Sequence, residues 1–417
     1  MNNNEKAHSC TPFRSCSLFG ALRYFSNISN SAILIHGPSG CSFFNRNAMI
    51  RLNGYYSAKH VVPIPRIYCT DFDENDVIFG GTEKVKNALS EIIEKLLPEV
   101  VFVMNCCVSE IIGEDIDNIA VEFTRRYDIK VIAVHSAGFK GDHKYGMKMA
   151  SEILFHEFID NENLRRSMCV NILGDLDYFN HTSQELIHVL NEAGVVSIHL
   201  VPGNCSINEL RHVSEASLNI ITCGNASRHL AQLFYERFQT PFIGDNASLF
   251  GIENTYNTYC KIFDILNLDR TMLDKKRRCA QERLQQYLPF FKGKSAVIVS
   301  GTRRALGYAE IFKNLGIEIK LIFSEFDPVY TDPKDFMKYS KNVFLNYYPN
   351  DMLREIEDLN PNFIFSTLSE LVAPYKYIAR TDDDFAGFDG VERMAKHLIT
   401  KFEEGEKLFV KIIDGGV

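Results

Sequence analysis

The stretch "VFVMNCCVSEIIGEDI" (Val101–Ile116) begins as an apolar, β-branched run, halts at a polar turn carrying two cysteines, and reopens in a helical pattern. A short apolar run bounded by turn signals is how a strand buried on both faces reads in sequence. "IHGPSGCSFF" (Ile35–Phe44) repeats the arrangement, with Cys41 in a Gly-Pro-rich turn after the run Ala32–His36. Between the two lies Glu83–Leu97, whose apolar Val85, Leu89, Ile92, Ile93 and Leu96 recur at helical spacing. Val131–His135 supplies another such run. Strands alternating with helices predict βαβ units and a parallel sheet.

The same alternation restarts twice. After the polar stretch Asp160–Arg166, strand candidates are Val170–Leu173, Ser197–Val201 and Leu218–Thr222, with "PFIG" from Pro241 closing the unit. The charged, helix-favouring segment Asp269–Leu288 leads to a third round, Ala296–Ser300, Ile317–Phe323, Val343–Asn346 and Asn362–Ser366. The expected fold is therefore α/β, three Rossmann-like domains with parallel sheets over residues 1–165, 166–288 and 289–417. No solenoid-type repeat and no low-complexity segment interrupts this pattern.

A chain of 417 residues exceeds one ordinary core, and 46% hydrophobic with 24% charged residues is a globular composition. The formal charge of -8 argues against a nucleic-acid partner. No apolar run reaches the roughly 18 residues a membrane span needs, and "MNNNEKAHSC" has no cationic segment leading into an apolar one. The expected location is cytoplasmic, with no membrane partner. In that compartment eleven cysteines do not make a disulfide framework; most belong in the core, and a few are candidate metal ligands.

Open parallel sheets bind ligands at the carboxyl ends of their strands, and Cys41, Cys107 and Cys223 all fall there. So do the glycines of "SAGFKG" (Ser136–Gly141) and "VSGT" (Val299–Thr302). Of the adjacent pair Cys106 and Cys107, only one can readily face a cleft, and Cys107 lies nearer the next helix, where free N–H groups favour a thiolate. Cys10, Cys169, Cys205, Cys260 and Cys279 read as small core residues. "GPSGCSFF" lacks the Lys-Ser/Thr of a Walker loop, so this chain is expected to hydrolyse no nucleotide itself. Zinc is disfavoured, because no close C-x₂₋₄-C pair accompanies Cys41 or Cys107 and "CTPFRSC" (Cys10–Cys16) is too widely spaced. Iron–sulfur clusters want thiolates on a loop that can wrap them, which Gly37, Pro38 and Gly40 around Cys41 supply.

In order along the chain, "CSLFGALRYFSNI" (Cys16–Ile28), "HGPSGC" (His36–Cys41), "TDFDENDVIFGGTEKV" (Thr70–Val85), "CCVSEIIGEDI" (Cys106–Ile116), "VHSAGFKG" (Val134–Gly141), "CGNASRHLAQLFYERFQTPF" (Cys223–Phe242) and "FAGFDGVERMAKHL" (Phe385–Leu398) resemble landmarks of the nitrogenase component 1 family. The resemblance covers nearly the whole chain. It implies that Cys16, Cys41 and Cys107 ligate an iron–sulfur cluster, [4Fe–4S] or larger, at a subunit interface, with Cys69 a candidate extra or substitute ligand. The remaining ligands would come from a homologous component 1 subunit, in a homo- or hetero-oligomer. Electrons would come from a separate P-loop ATPase, an iron protein.

Cys223 stands where the family anchors its large catalytic cofactor, so a second cofactor or the substrate is expected near it. The family's histidine ligand would fall ten residues before Gly387, and that position is Tyr377. After "GFKG" the catalytic subunit's Gln and His are missing, and "DHKYGMK" (Asp142–Lys148) is similar to the cofactor-assembly scaffold. Two functions thus stand: a nitrogenase-like oxidoreductase acting on a substrate in the interdomain cleft, or a scaffold on which an iron–sulfur cofactor is assembled.

Overall fold

The computed structural model describes residues 15–47, 66–159, 168–176, 181–245, 247–324, 331–346, 355–356, 358–366, 378–380 and 385–413. Three sheets are formed, and every strand pair in them is parallel. The first runs β2-β1-β3-β4, from β1 (Ser31–His36), β2 (Ile67–Cys69), β3 (Val100–Asn105) and β4 (Lys130–Val134). The second runs β6-β5-β7-β8, from β5 (Cys169–Asp175), β6 (Ser197–Pro202), β7 (Leu218–Ile221) and β8 (Phe242–Ile243). The third runs β11-β10-β9-β12-β13, from β9 (Ser295–Ser300), β10 (Glu318–Ser324), β11 (Val343–Leu345), β12 (Phe363–Ser366) and β13 (Ile378–Arg380). The expected α/β fold is thus found, with two short strands, β2 and β13, added to those read from the sequence.

The strands read as continuous apolar runs because both faces are covered. In β1 and β3, Ala32, Leu34, Val101 and Val103 face the helices Thr82–Leu96 and Ile116–Tyr127. The alternate residues Ile33, Ile35, Phe102 and Met104 enter a second core shared with Leu173, Val201 and Ile221 of the second sheet. The other face of that sheet, Val170, Ile172 and Ile220, packs in one cluster with Ala296, Ile298 and Phe365 of the third. The three sheets are therefore joined by cores, not by bare linkers. One consequence matters for the site: β1, β2, β3 and β4 all end at the same edge, delivering Gly37–Cys41, Cys69, Cys106–Cys107 and His135–Gly141 to one place.

Among the described residues, no helix is long and apolar enough to cross a membrane.

Candidate metal centre

Cys16 precedes the helix Ser17–Phe25 as its N-cap, and its neighbours lock it to the turn after β4. Ser17 N–H donates to the Gly141 carbonyl at 2.9 Å, and His143 N–H to the Ser15 carbonyl at 2.8 Å. Ser17 Oγ reaches the carbonyl oxygens of Ser136 and Ala137 at 2.8 and 2.7 Å. The helix then crosses His143–Phe158 at close range, because both partners are glycine at the crossing. A Cβ on Gly20 would overlap the His143 carbonyl, and one on Gly146 would overlap that of Ser17.

Cys107 opens the helix Cys107–Ile111, with Cys106 as N-cap. The two diverge. Cys106 is 1% exposed and turns into the core, so close to Gly37 that any Cβ there would strike its sulfur. Cys107 is half-buried and accepts the Gly138 N–H at its Sγ, 3.1 Å away. Gly138 is the floor that Cys16 and Cys107 share: a Cβ built on it would stand 3.1 Å from Cys16 Cβ, 3.2 Å from Cys107 Sγ and 3.5 Å from Cys16 Sγ. Cys41, half-buried, lies on the helical stretch beginning at residue 39 and is felt electrostatically by Cys106, Cys107 and Cys16. Cys69 ends β2, with its Sγ 3.3 Å from the Gly37 carbonyl oxygen. Five thiols thus gather around Gly37 and Gly138.

Their electrostatics are those of crowded sulfurs. The hydrogen bond to Cys106, then burial, then the other two thiols push the Cys41 thiol well up. Cys106 goes the other way, down to about 6, because it gains that hydrogen bond and, against the cost of burial, the N–H groups of Val108 and Ser109. Burial raises Cys69. A negative charge on Cys41 is thus resisted by its neighbours, and a multivalent cation bound among the thiols would relieve that cost. An iron–sulfur cluster would supply such charge, with its ligand thiolates spread over several irons. Among the described residues no three His, Cys, Asp or Glu side chains stand where they could hold a metal ion.

Around the thiols lies a shell that motif spacing alone did not expose. His36 is fully buried, with Nδ1 3.1 Å from Thr70 Oγ1, and burial lowers it to about 4 against the pull of Glu114, whose Oε2 is 3.6 Å from Nε2. Glu114 in turn accepts the Gly81 N–H and the Thr82 hydroxyl, at 3.0 Å for the latter, capping the helix Thr82–Leu96. "HGPSGC", "TDFDEN", "FGGT" and "IIGED" are thereby one hydrogen-bonded unit.

Cys223 follows β7 as N-cap of the helix Gly224–Phe238 and is half-buried, at the second sheet and apart from the five clustered thiols. Arg303, next to "VSGT", crosses from the third sheet's helix and donates to the carbonyl of Thr222 at 2.6 Å and to the Thr182 hydroxyl at 2.8 Å. Tyr377 and Cys10 lie outside the described residues. Cys169, Cys205 and Cys260 are buried, while Cys279 is half-exposed and lines a cavity of about 600 Å³ beside Glu185 and Phe388.

A sequence profile described as nitrogenase component 1 type oxidoreductase matches residues 16–403. The chain is 31% identical over 318 residues to the nitrogenase iron-molybdenum cofactor biosynthesis protein NifE of Clostridium pasteurianum, spanning 74% of this chain and 68% of that one. It is 26% identical to the nitrogenase molybdenum-iron protein alpha chain of Methanosarcina barkeri, over 73% of this chain but only 59% of the relative's length. Among solved structures, "Nitrogenase Cp1 at pH 6.5" superposes with a TM-score of 0.79 at 18% identity, over 94% of this chain and 89% of the other.

Proposed function

The chain belongs to the nitrogenase component 1 type oxidoreductase family, and from that premise we propose that it is an iron–sulfur subunit, with Cys16, Cys41 and Cys107 holding a cluster at an interface with a second component 1 subunit. The observation that carries this is the shared floor at Gly138, which lets two thiols from segments some ninety residues apart stand side by side with an N–H aimed at sulfur. Such a cluster, when bound, accepts and returns single electrons. The chain's own residues do the rest: Gly37 and Gly138 give way to sulfur, the Gly138 N–H stabilises negative charge on Cys107, and the buried His36–Glu114 unit fixes the loops.

Three thiolates are one short of the usual four, so the fourth ligand is proposed to come from the partner, with Cys69 the alternative. The surroundings support an interface. Phe43 and Phe44 just past Cys41, Ile78 and Phe79 before Gly80, Ile111 past Cys107, and Phe139 beside Gly138 are each 59 to 82% exposed. Large apolar side chains massed around one edge are what a soluble surface avoids and a subunit contact uses. With no Walker loop here, low-potential electrons are proposed to arrive from a separate ATP-hydrolysing iron protein, and the substrate to be reduced beside Cys223. The domains 1–165, 166–288 and 289–417 are proposed to divide this work, the first carrying the cluster and the second Cys223.

The test is anaerobic purification with iron and sulfide analysis, mass in solution, and ATP-dependent reduction with and without an iron protein. Cys16→Ala, Cys41→Ala and Cys107→Ala should each lose most of the iron. Unchanged iron in all three refutes the ligand assignment, and a monomer with a complete cluster refutes the shared interface.

One observation favours a second reading, a scaffold for cofactor assembly. Asp142 and His143 of "DHKYGMK" are committed to structure: Asp142 caps the helix His143–Phe158 and His143 packs its backbone on Gly20. With Tyr377 in place of histidine, Cys223 would hold a guest more loosely, as transfer requires. Release of a bound metal cofactor to an acceptor, without turnover of substrate, would select this reading.

A further inference from the structure

Glu110, one helical turn past Cys107, has a side chain only 16% exposed and belongs to none of the ligand arguments above. Its two oxygens are fully engaged. Oε2 accepts from Asn105 Nδ2 at 3.2 Å and lies 3.0 Å from His135 Nδ1, while Oε1 pairs with Lys140 Nζ. Asn105 ends β3, His135 lies three residues before the turn that Gly138 opens, and Lys140 closes that turn. The other ring nitrogen of His135 is held by Asp117 at 2.9 Å. One carboxylate on the cysteine helix therefore grips both ends of the segment that presents its N–H to Cys107 Sγ.

A three-residue 3₁₀ turn, here Gly138–Lys140, has little stability of its own, so its position is set by what holds its ends. Among the side-chain ties are Ser17 Oγ on the carbonyls of Ser136 and Ala137, Ser136 Oγ on the Asn105 carbonyl at 3.0 Å, and Glu110. The serine ties act before Gly138. After Gly138, the backbone ties of Ser17 N–H to the Gly141 carbonyl and of His143 N–H to the Ser15 carbonyl hold the chain, and Glu110, through Lys140, is the side-chain tie added to them.

Resting on the cluster reading above, we infer that Glu110 is a positioning residue that, through Lys140 and His135, keeps the Gly138 N–H on the Cys107 sulfur and so raises the reduction potential of the cluster held there. The sign follows from charge. Reduction adds an electron to the cluster, and an N–H aimed at a ligand sulfur stabilises the more negative state. Charge changes nearby would mask this, since loss of Glu110 alone also removes a negative group and raises the potential. The double variant Glu110→Gln/Lys140→Met removes one charge of each sign and isolates the positional effect.

The experiment uses the full chain, with and without its iron. It measures hydrogen exchange at the Gly138 amide, iron content, and the midpoint potential by titration followed by electron paramagnetic resonance. The expected result in the double variant is iron content near that of the parent, Gly138 exchange about tenfold faster or more, and a midpoint moved to more negative potential. A loaded double variant with unchanged exchange and unchanged midpoint overturns the inference. If the parent chain takes up no iron, the cluster reading fails, and exchange in the iron-free chain then decides the clamp alone: equal protection in parent and variant refutes it. Should the double variant fail to fold, Lys140→Met, a partly exposed site, replaces it; with a positive charge lost, both effects lower the potential, and an unmoved midpoint is again the refuting result.

Discussion

Gly20→Ala tests the geometry that brings Cys16 to the centre. The added Cβ would lie 2.7 Å from the His143 carbonyl carbon and 2.8 Å from its Cα, and it would overlap the carbonyl oxygen. Carbon atoms rest at about 3.5–4.0 Å, so the helices Ser17–Phe25 and His143–Phe158 must part by roughly 1 Å. Both sides of the clash are backbone, and no rotamer change relieves it. Overpacking costs about 1–3 kcal/mol, and this contact belongs at the upper end. A loss of ~3 kcal/mol in the local opening free energy speeds exchange about 100-fold. The assay is hydrogen exchange resolved by segment, read at residues 17–25 and 143–158, with iron content alongside. Gly301→Ala is the control, because nothing lies within 4 Å of a Cβ there and its φ of -62° suits any residue. Exchange in Gly20→Ala within twofold of the parent, with iron unchanged, would refute the claim that this crossing fixes Cys16.

Cys69→Ala should keep most of the iron, whereas Cys41→Ala should not, since Cys69 is tied to the Gly37 carbonyl and Asp71 N–H while Cys41 stands among the other thiols; elemental analysis decides, and equal loss in both would make Cys69 a ligand. His36 is held near 4, below its unfolded value near 6.5, so the unfolded chain takes the proton first and stability should fall as pH drops through that window. His36→Asn should flatten the acid limb of a urea-midpoint profile, and a profile of unchanged slope counts against the buried neutral ring. Glu185 shows the opposite sign: burial raises it to about 7, with the Phe388 N–H its one opposing hydrogen bond, so stability should fall as pH rises from about 4.5 to 7. Glu185→Gln, which keeps the acceptor for Phe388, should gain stability at pH 8 and little at pH 4.5, by up to about 3 kcal/mol; an equal effect at both pH values would contradict the assignment.

Much of the fold was legible because the buried strands carry their signal in every residue. Val100–Asn105 and Ser295–Ser300 have no exposed position, and an unbroken apolar run ending in a turn has few other readings. Ile67–Cys69 gave no such signal: it is three residues long, and Tyr68 faces out. At the site, Cys16, Cys41 and Cys107 could be picked out as candidates from motif order, and the divergence of Cys106 from Cys107 from chain geometry. Gly138 could not. The motif placed it at the strand ends, but its role rests on contact with sulfurs from two distant segments, which no local pattern shows. Glu110 was hidden for the same reason, because its partners at 105, 135 and 140 meet only once β3 and β4 have paired. A carboxylate in the first turn of a helix has a bland explanation in sequence, as a partner for the dipole.

The two cysteine sites are connected by a single helix. Cys16 and Cys223 are each the N-cap of a helix, Ser17–Phe25 and Gly224–Phe238, and both helices pack on His143–Phe158. The contacts differ in kind. Near its start, His143–Phe158 meets the Cys16 helix backbone to backbone at Gly20 and Gly146. Further along it meets the Cys223 helix through Phe155 against Phe234 and Phe238, and through Glu152 with His229 at 2.7 Å. Gly146 and Phe155 are separated by about 14 Å of helix at 1.5 Å per residue. Backbone contact cannot absorb a displacement, and the rings of Phe155, Phe234 and Phe238, at most 2% exposed, are packed in the core, so both contacts transmit a displacement of the shared helix. Of the contacts named, the Glu152–His229 pair is the partly exposed one, and its side chains can rotate. For both proposed functions this makes His143–Phe158 the element through which the positions of Cys16 and Cys223 are coupled, since a shift of that helix moves the N-cap of each neighbour.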